Sequence, residues 1–294
     1  MYYYSLYGQT IVSDIEFRQL VKSTDTEASI YINEGNIPED ILSTPEKYKI
    51  NDERSFLSNK TCYLVITDGN KIIYKLKPDG NENYLRSFIL GYGMAMLFLQ
   101  RGEIAVHCSA LSTNNGAVII AGESGSGKST ITTALLNEGM SLMADDMAIV
   151  SPGENSAIAY PAFPYQKLCR DAALSNNEDL SKLIYIDEDK DKFLIPYKGN
   201  FDLSGYPVKA MFVLLGEVDS DKIELQEIKG FQKMLICANN LFLRKLLKDD
   251  KYKGTSGKKC FEISDKFPIY VLGRPAGKNS LDEMKAMILE KLNN

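Results

Sequence analysis

The sequence is poor in the residues that build metal and disulfide frameworks. It has no tryptophan, one histidine and five cysteines in 294 residues. The cysteines (Cys62, Cys108, Cys169, Cys237 and Cys260) are widely spaced, odd in number and form no CxxC pair. That excludes a disulfide scaffold, offers no zinc-ligand spacing, and fits free thiols in a reducing compartment. Long hydrophobic runs are also missing. The most apolar stretch, SFILGYGMAMLFLQ over residues 87–100, falls short of the roughly 20 residues a membrane-spanning helix needs. The opening MYYYSLYGQT has neither the basic leader nor the apolar core of a secretion signal, so a cytoplasmic protein away from membranes is expected. Nor is there an excess of positive charge. Lys and Arg total 34 against 39 Asp and Glu, a net charge of -5, which disfavours general nucleic-acid binding.

What is present is ordinary globular material, 44% hydrophobic and 25% charged, with no repeat and no low-complexity tract. The length suits one large and one small domain. Residues 1–80 read as short strands rich in Tyr, Ile and Val, with an Asp68–Asn70 hairpin turn, and define a β-rich N-terminal domain. Residues 81–294 form the second domain. Leu85, Phe88, Ile89, Tyr92, Met96 and Leu99 recur at helical spacing over Tyr84 to Gln100. EIAVHCSALST reads as a strand, and an Asn114–Gly116 turn leads to the apolar strand AVIIAG. SLMADDMAIV reads as one strand, FQKMLICANNLFLRKLLK as a helix, and KDDKYKGTSGKK (Lys248–Lys259) as a mobile loop. The mixture predicts an α/β domain with a partly antiparallel sheet.

The densest chemical signal is Gly122-Glu123-Ser124-Gly125-Ser126-Gly127-Lys128-Ser129, followed by Thr130. It fits GxxxxGK[ST] and stands between a strand and a helix, as phosphate binding requires. Its glycines let the backbone turn N–H groups inward, and the helix that follows presents its positive end to the same anion. Lys128 is placed to reach the β- and γ-phosphates and Ser129 to hold Mg²⁺. Asp145, followed by Asp146, comes only 17 residues after Lys128, room for one helix and one return strand. In phosphoryl transfer one carboxylate can hold the metal while the other accepts the proton of an incoming hydroxyl. His107, which titrates near neutrality, lies on the strand whose hairpin partner feeds the loop.

Together these residues resemble the catalytic domain of the HPr kinase/phosphorylase family. The likeness covers HCSALSTNNGAVIIAGESGSGKSTITTALLNEGMSLMADD, from His107 to Asp146. It implies a phosphate-loop fold of the kind shared with phosphoenolpyruvate carboxykinases, and an ATP- and Mg²⁺-dependent kinase acting on a serine hydroxyl of a peptide or small protein. By position, Asp145 is implied as the base, Asp146 as its support or metal ligand, and His107 as the family's active-site histidine. The second glycine-rich signature of HPr kinases, with its RGxG, is not found; the stretch reads AYPAFPYQKLCRDAALS. That moves the likeness toward HPr-kinase-related proteins that accompany ribosomally made peptides, including lasso-peptide precursor kinases. The matching elements are Pro164 to Leu168, then Asp191-Lys192 with Pro196. Self-assembly is a further implication, because HPr kinases form hexamers.

Lys167, Arg170, Lys192 and Arg274 lie near strand ends or loops, and Arg170 and Lys192 are the preferred candidates for neutralising a transferring phosphoryl group. Two other readings stay open. A carboxykinase-like or small-molecule phosphotransferase would need an arginine cluster beside the Asp pair, and a non-catalytic nucleotide-binding module would need no base.

Overall fold

The computed structural model describes residues 1–175, 178–187, 191–247 and 250–293. Alternating apolar and polar residues place one face of each early strand inward. The result is an eight-stranded sheet of β1 (Tyr2–Leu6), β2 (Gln9–Ser13), β3 (Val21–Lys22), β4 (Ile30–Glu34), β5 (Tyr48–Lys49), β6 (Arg54–Ser58), β7 (Cys62–Thr67) and β8 (Lys71–Leu76). Their spatial order is β3-β1-β2-β4-β8-β7-β6-β5, with a short helix α1 (Glu39–Ser43) outside it. Between β7 and β8, Asp68 and Gly69 take φ of 59° and 61°, as a tight hairpin turn demands.

Asn81 then caps α2 (Glu82–Phe88), accepting from the N–H groups of Asn83 and Tyr84. A π-helical turn (Ile89–Gly93) and α3 (Met94–Gln100) continue the same rod, and every residue from Met94 to Leu99 is buried. The remaining chain supplies β9 (Ile104–Val106), β10 (Cys108–Thr113), β11 (Gly116–Gly122), α4 (Lys128–Asn137), β12 (Ser141–Ala144), β13 (Ala148–Pro152), β14 (Ala157–Tyr160) and β15 (Tyr165–Cys169). After these come α5 (Arg170–Ser175), β16 (Ile184–Asp187), β17 (Lys192–Pro196), β18 (Tyr206–Val218), β19 (Glu224–Ile228), α6 (Phe231–Asn239), α7 (Asp250–Ser264), β20 (Ile269–Pro275) and α8 (Leu281–Asn293).

The second sheet runs β12-β10-β11-β18-β14-β13-β9, with β20 pairing β18 and β19 pairing β20. Its centre, β11-β18-β20, is parallel, and its flanks are antiparallel. A small sheet β15-β17-β16 lies apart from it. One apolar core passes from Tyr4, Ile11 and Ile72 of the first sheet through Met94 and Phe98 to Ile119 and Ile149 of the second. Polar contacts cross the same boundary. The Tyr7 hydroxyl donates to the Met147 carbonyl at 3.2 Å, and the Arg86 side chain to the Glu16 carbonyl at 2.7 Å.

Four segments differ from the sequence reading. EIAVHCSALST breaks at His107, because β9 pairs with β13 while β10 pairs with β11 and β12. SLMADDMAIV breaks at Asp145–Met147, where Asp146 takes the left-handed φ of 76° that Asp tolerates better than most residues. The expected long helix ends at Asn239, whose neighbour Asn240 leaves the helical line, and residues 240–242 run beside β9 instead. The expected mobile loop is helical from Asp250 onward, with Lys248 and Asp249 outside the described residues. Ser256, Cys260 and Ile263 give that helix a buried face, and packing overrides the poor helix propensity of its glycines.

Candidate functional site

The glycine loop joins β11 to α4. Gly122, Gly125 and Gly127 have φ of 137°, 86° and 102°, conformations L side chains rarely adopt. At Gly122 a methyl group would stand 2.4 Å from the Leu214 carbonyl oxygen, whereas at Gly125 and Gly127 nothing lies within 4 Å of it. The turn is therefore tight at its root and open at its crown. The Lys128 ammonium folds over the loop and donates to the carbonyls of Gly122 (2.7 Å) and Glu123 (3.0 Å). Burial, and then the like charge of Lys192, lower its pKa below the usual lysine range. The Ser126 hydroxyl is buried beneath the loop with no hydrogen-bond partner. Ser129 and Thr130 open the first turn of α4, Thr130 at the surface.

The two aspartates have different surroundings. Asp145 is buried, and both its oxygens are taken: Ser109 donates to one at 2.5 Å and the Lys167 backbone N–H to the other at 2.7 Å. Burial pushes its pKa up, against the pull of those two donors. Asp146 turns the other way. Its oxygens lie 2.7 Å from the Lys167 ammonium and 3.8 Å from His107 Nε2, and its side chain is one-fifth exposed, at 21%. Burial opposes ionisation here as well, but Lys167, His107 and Lys192 outweigh it and hold the carboxyl at about 2. The two carboxyl groups, implied by the resemblance as base and support, thus have different partners. Asp145 pins β10, the strand break and β15 together, and Asp146 is the carboxylate that faces the cleft.

That cleft, of about 410 Å³, brings Gly122, Glu123 and Ser124 of the loop together with His107, Asp146, Lys167 and Lys192. Its lining is also aromatic, with Phe88, Tyr92 and Phe242, and includes Lys60 and Thr61 from the connection between β6 and β7. Arg170 is not brought to it. Its guanidinium instead grips Asp191 (2.6 and 3.0 Å) and lies 5.2 Å from the centre of the Phe193 ring. Arg274 pairs with Glu217, also away from the cleft. Lys167 was a secondary candidate and takes the central place, since β15 presents its backbone N–H to Asp145 and its ammonium to Asp146. Ser109 and Phe242 carried no signal in the sequence. The first looked like a core strand residue, and the second lay in a segment read as helix.

Among the described residues, no cluster of three or more His, Cys, Asp or Glu side chains is arranged to hold a metal by itself. None of their helices is long and apolar enough to cross a membrane. No family model matches the chain, and no curated protein matches it. Among solved structures it is similar to the Hpr(Ser) kinase/phosphatase from Coxiella burnetii, at 14% identity and a TM-score of 0.34. The alignment covers 63% of this chain and 88% of that one.

Proposed function

We propose that the protein is an ATP- and Mg²⁺-dependent kinase that phosphorylates a serine hydroxyl of a peptide or small protein. The observation that carries this reading is the convergence of a phosphate-type glycine loop and an ionised carboxylate, Asp146, on one cleft. Pure nucleotide binding needs the loop alone. A carboxykinase-like enzyme would want several arginines beside the Asp pair, and among the described residues the one arginine lining the cleft, Arg244, is paired with Glu123.

The residues fit a polyphosphate. The crown is open at Gly125 and Gly127, the buried Ser126 hydroxyl lacks a partner, and α4 points its positive end into the loop. Lys128, released from the loop carbonyls, neutralises the β- and γ-phosphates. Ser129 is the residue that would hold Mg²⁺, which would supply charge neutralisation.

In the transfer step the serine oxygen bonds to the γ-phosphorus as the bond from that phosphorus to the β–γ bridging oxygen breaks. The serine proton passes to Asp146. A carboxylate held near pKa 2 is a weak base, but the loose transition state of phosphoryl transfer needs little deprotonation before the new bond forms. Asp146 therefore orients the hydroxyl first and takes the proton late. Lys167 fixes the carboxylate, while Lys192 and His107 flank the phosphoryl group. Nucleotide titration by calorimetry tests the loop assignment. Lys128→Ala is expected to lower ATP affinity at least tenfold, and an unchanged affinity would overturn it.

A further inference from the structure

The aromatic side of the cleft is a built surface with no part in phosphate binding. Phe88 and Tyr92 stack with ring centres 6.2 Å apart, Tyr92 meets Phe242 edge-on at 5.6 Å, and Phe242 meets His107 at 6.1 Å. All three rings are half-buried and line the cleft. Their support is specific. The π-helical turn carries Tyr92, and the Phe242 ring packs over Gly91 of the same turn, where a methyl group would meet its Cζ at 3.4 Å, an ordinary contact. Phe242 is fixed from the other side by its N–H bond to the Ala105 carbonyl (2.9 Å). Two residues away, Asn240 accepts from the His107 N–H at 2.8 Å. A π turn placed beside a reactive centre is a common functional device.

The position of this wall relative to Asp146 indicates what it holds. The reacting hydroxyl must come within about 3 Å of Asp146. His107 stands 3.8 Å from that carboxylate, and the wall begins at its ring. Consecutive residues of a peptide are ~3.8 Å apart at Cα, so the side chain next to the reacting serine reaches the rings. The same lining includes Lys60 and Lys245. On the kinase reading above, we infer that Phe88, Tyr92 and Phe242 form the acceptor subsite. It takes a peptide in which the residue beside the serine is apolar, and the neighbouring lysines disfavour basic residues further along. The wall is on the acceptor side of the transfer point, and the nucleobase lies elsewhere.

A peptide library with a central serine and randomised flanks tests this directly. The library is captured on the immobilised full-length protein with Mg²⁺ and a non-hydrolysable ATP analogue, and the bound peptides are sequenced by mass spectrometry. Enrichment of Phe, Tyr, Leu, Ile or Met beside the serine, with depletion of Lys and Arg, is expected. Phe242→Ala and Tyr92→Ala should each reduce that enrichment about tenfold while ATP-analogue affinity stays as in the wild type. Phe88→Lys, with its fold checked by circular dichroism, should redirect the preference toward Asp and Glu. Absence of apolar enrichment, or enrichment that all three variants leave intact, overturns the subsite. So does a loss of nucleotide affinity in these variants, which would make the wall a nucleobase site. The same peptides, incubated with ATP and weighed, test the kinase reading separately. Apolar selection without phosphate gain would remove the kinase and keep the subsite, and phosphate gain without selection would do the reverse.

Discussion

Asp145 and Asp146 share a peptide bond, yet folding moves their carboxyl groups in opposite directions along the pH scale. Asp146 is held at about 2, below its value near 3.9 in an unfolded chain, so its ionised form stabilises the fold. That stabilisation, roughly 2 kcal/mol, is present above pH 4 and lost as the pH falls from 4 through 2. Asp145 has a raised pKa, so folding favours its protonated form, and its contribution is lost as the pH rises through its folded value. Asp146→Asn should therefore be less stable than the wild type by up to ~2 kcal/mol at pH 7, with the gap closing near pH 2. Asp145→Asn removes a buried charge while its amide can still meet Ser109 and the Lys167 N–H, so its stability at pH 7 should match or exceed the wild type. Urea titrations of both variants across pH 2–7 measure this; the opposite ranking at pH 7 would reverse the two environments.

At the scale of elements, the glycine loop makes a graded demand on its backbone. Gly122→Ala places a methyl group 2.4 Å from the Leu214 carbonyl at a φ of 137°, with the whole of β18 behind it. A loss of about 3 kcal/mol or more is expected, together with the loop's shape. Gly125→Ala meets only the φ penalty, about 1–2 kcal/mol, because nothing surrounds its side chain. Thermal melts of the two variants should separate them clearly, and equal losses would mean that the loop root is not the constraint. This is also where the sequence was most legible. Strand, glycine loop and helix are contiguous, so spacing alone set their geometry. The strand breaks at His107 and Asp146 were not legible, because each depends on partners far along the chain. Asn240 draws off the His107 N–H, and Lys167 draws the two carboxylates apart. Lys192 lines the cleft, whereas Arg170 pairs with Asp191, a contact that spacing along the chain does not reveal.

For the whole molecule, the question is how the early sheet bears on the site. Its core is continuous with that of the second sheet, and Tyr7 donates a buried hydrogen bond to Met147, the residue after Asp146. The sequence suggested a division near residue 80 but could not reveal this contact, since 140 residues separate the partners. Tyr7→Phe should cost about 1 kcal/mol, a fall in Tm of roughly 2–3 °C. It should also relax the turn that aims Asp146. Calorimetry gives the stability, and an unchanged Tm would show that the two sheets are not coupled there. Removing residues 1–80 exposes the buried rod of α3 along with this contact, and the remainder is expected to be unfolded by circular dichroism.

Transfer of one phosphoryl group to a serine, with Asp146 receiving the proton, is the reaction proposed. The most direct measurement is the intact mass of serine peptides with an apolar neighbour, incubated with full-length protein, ATP and Mg²⁺. The wild type should add one phosphate, Asp146→Asn none while still binding ATP, and a serine-to-alanine peptide none with either protein. A phosphate gain undiminished in Asp146→Asn, or no gain on any peptide while ATP remains bound, would contradict it.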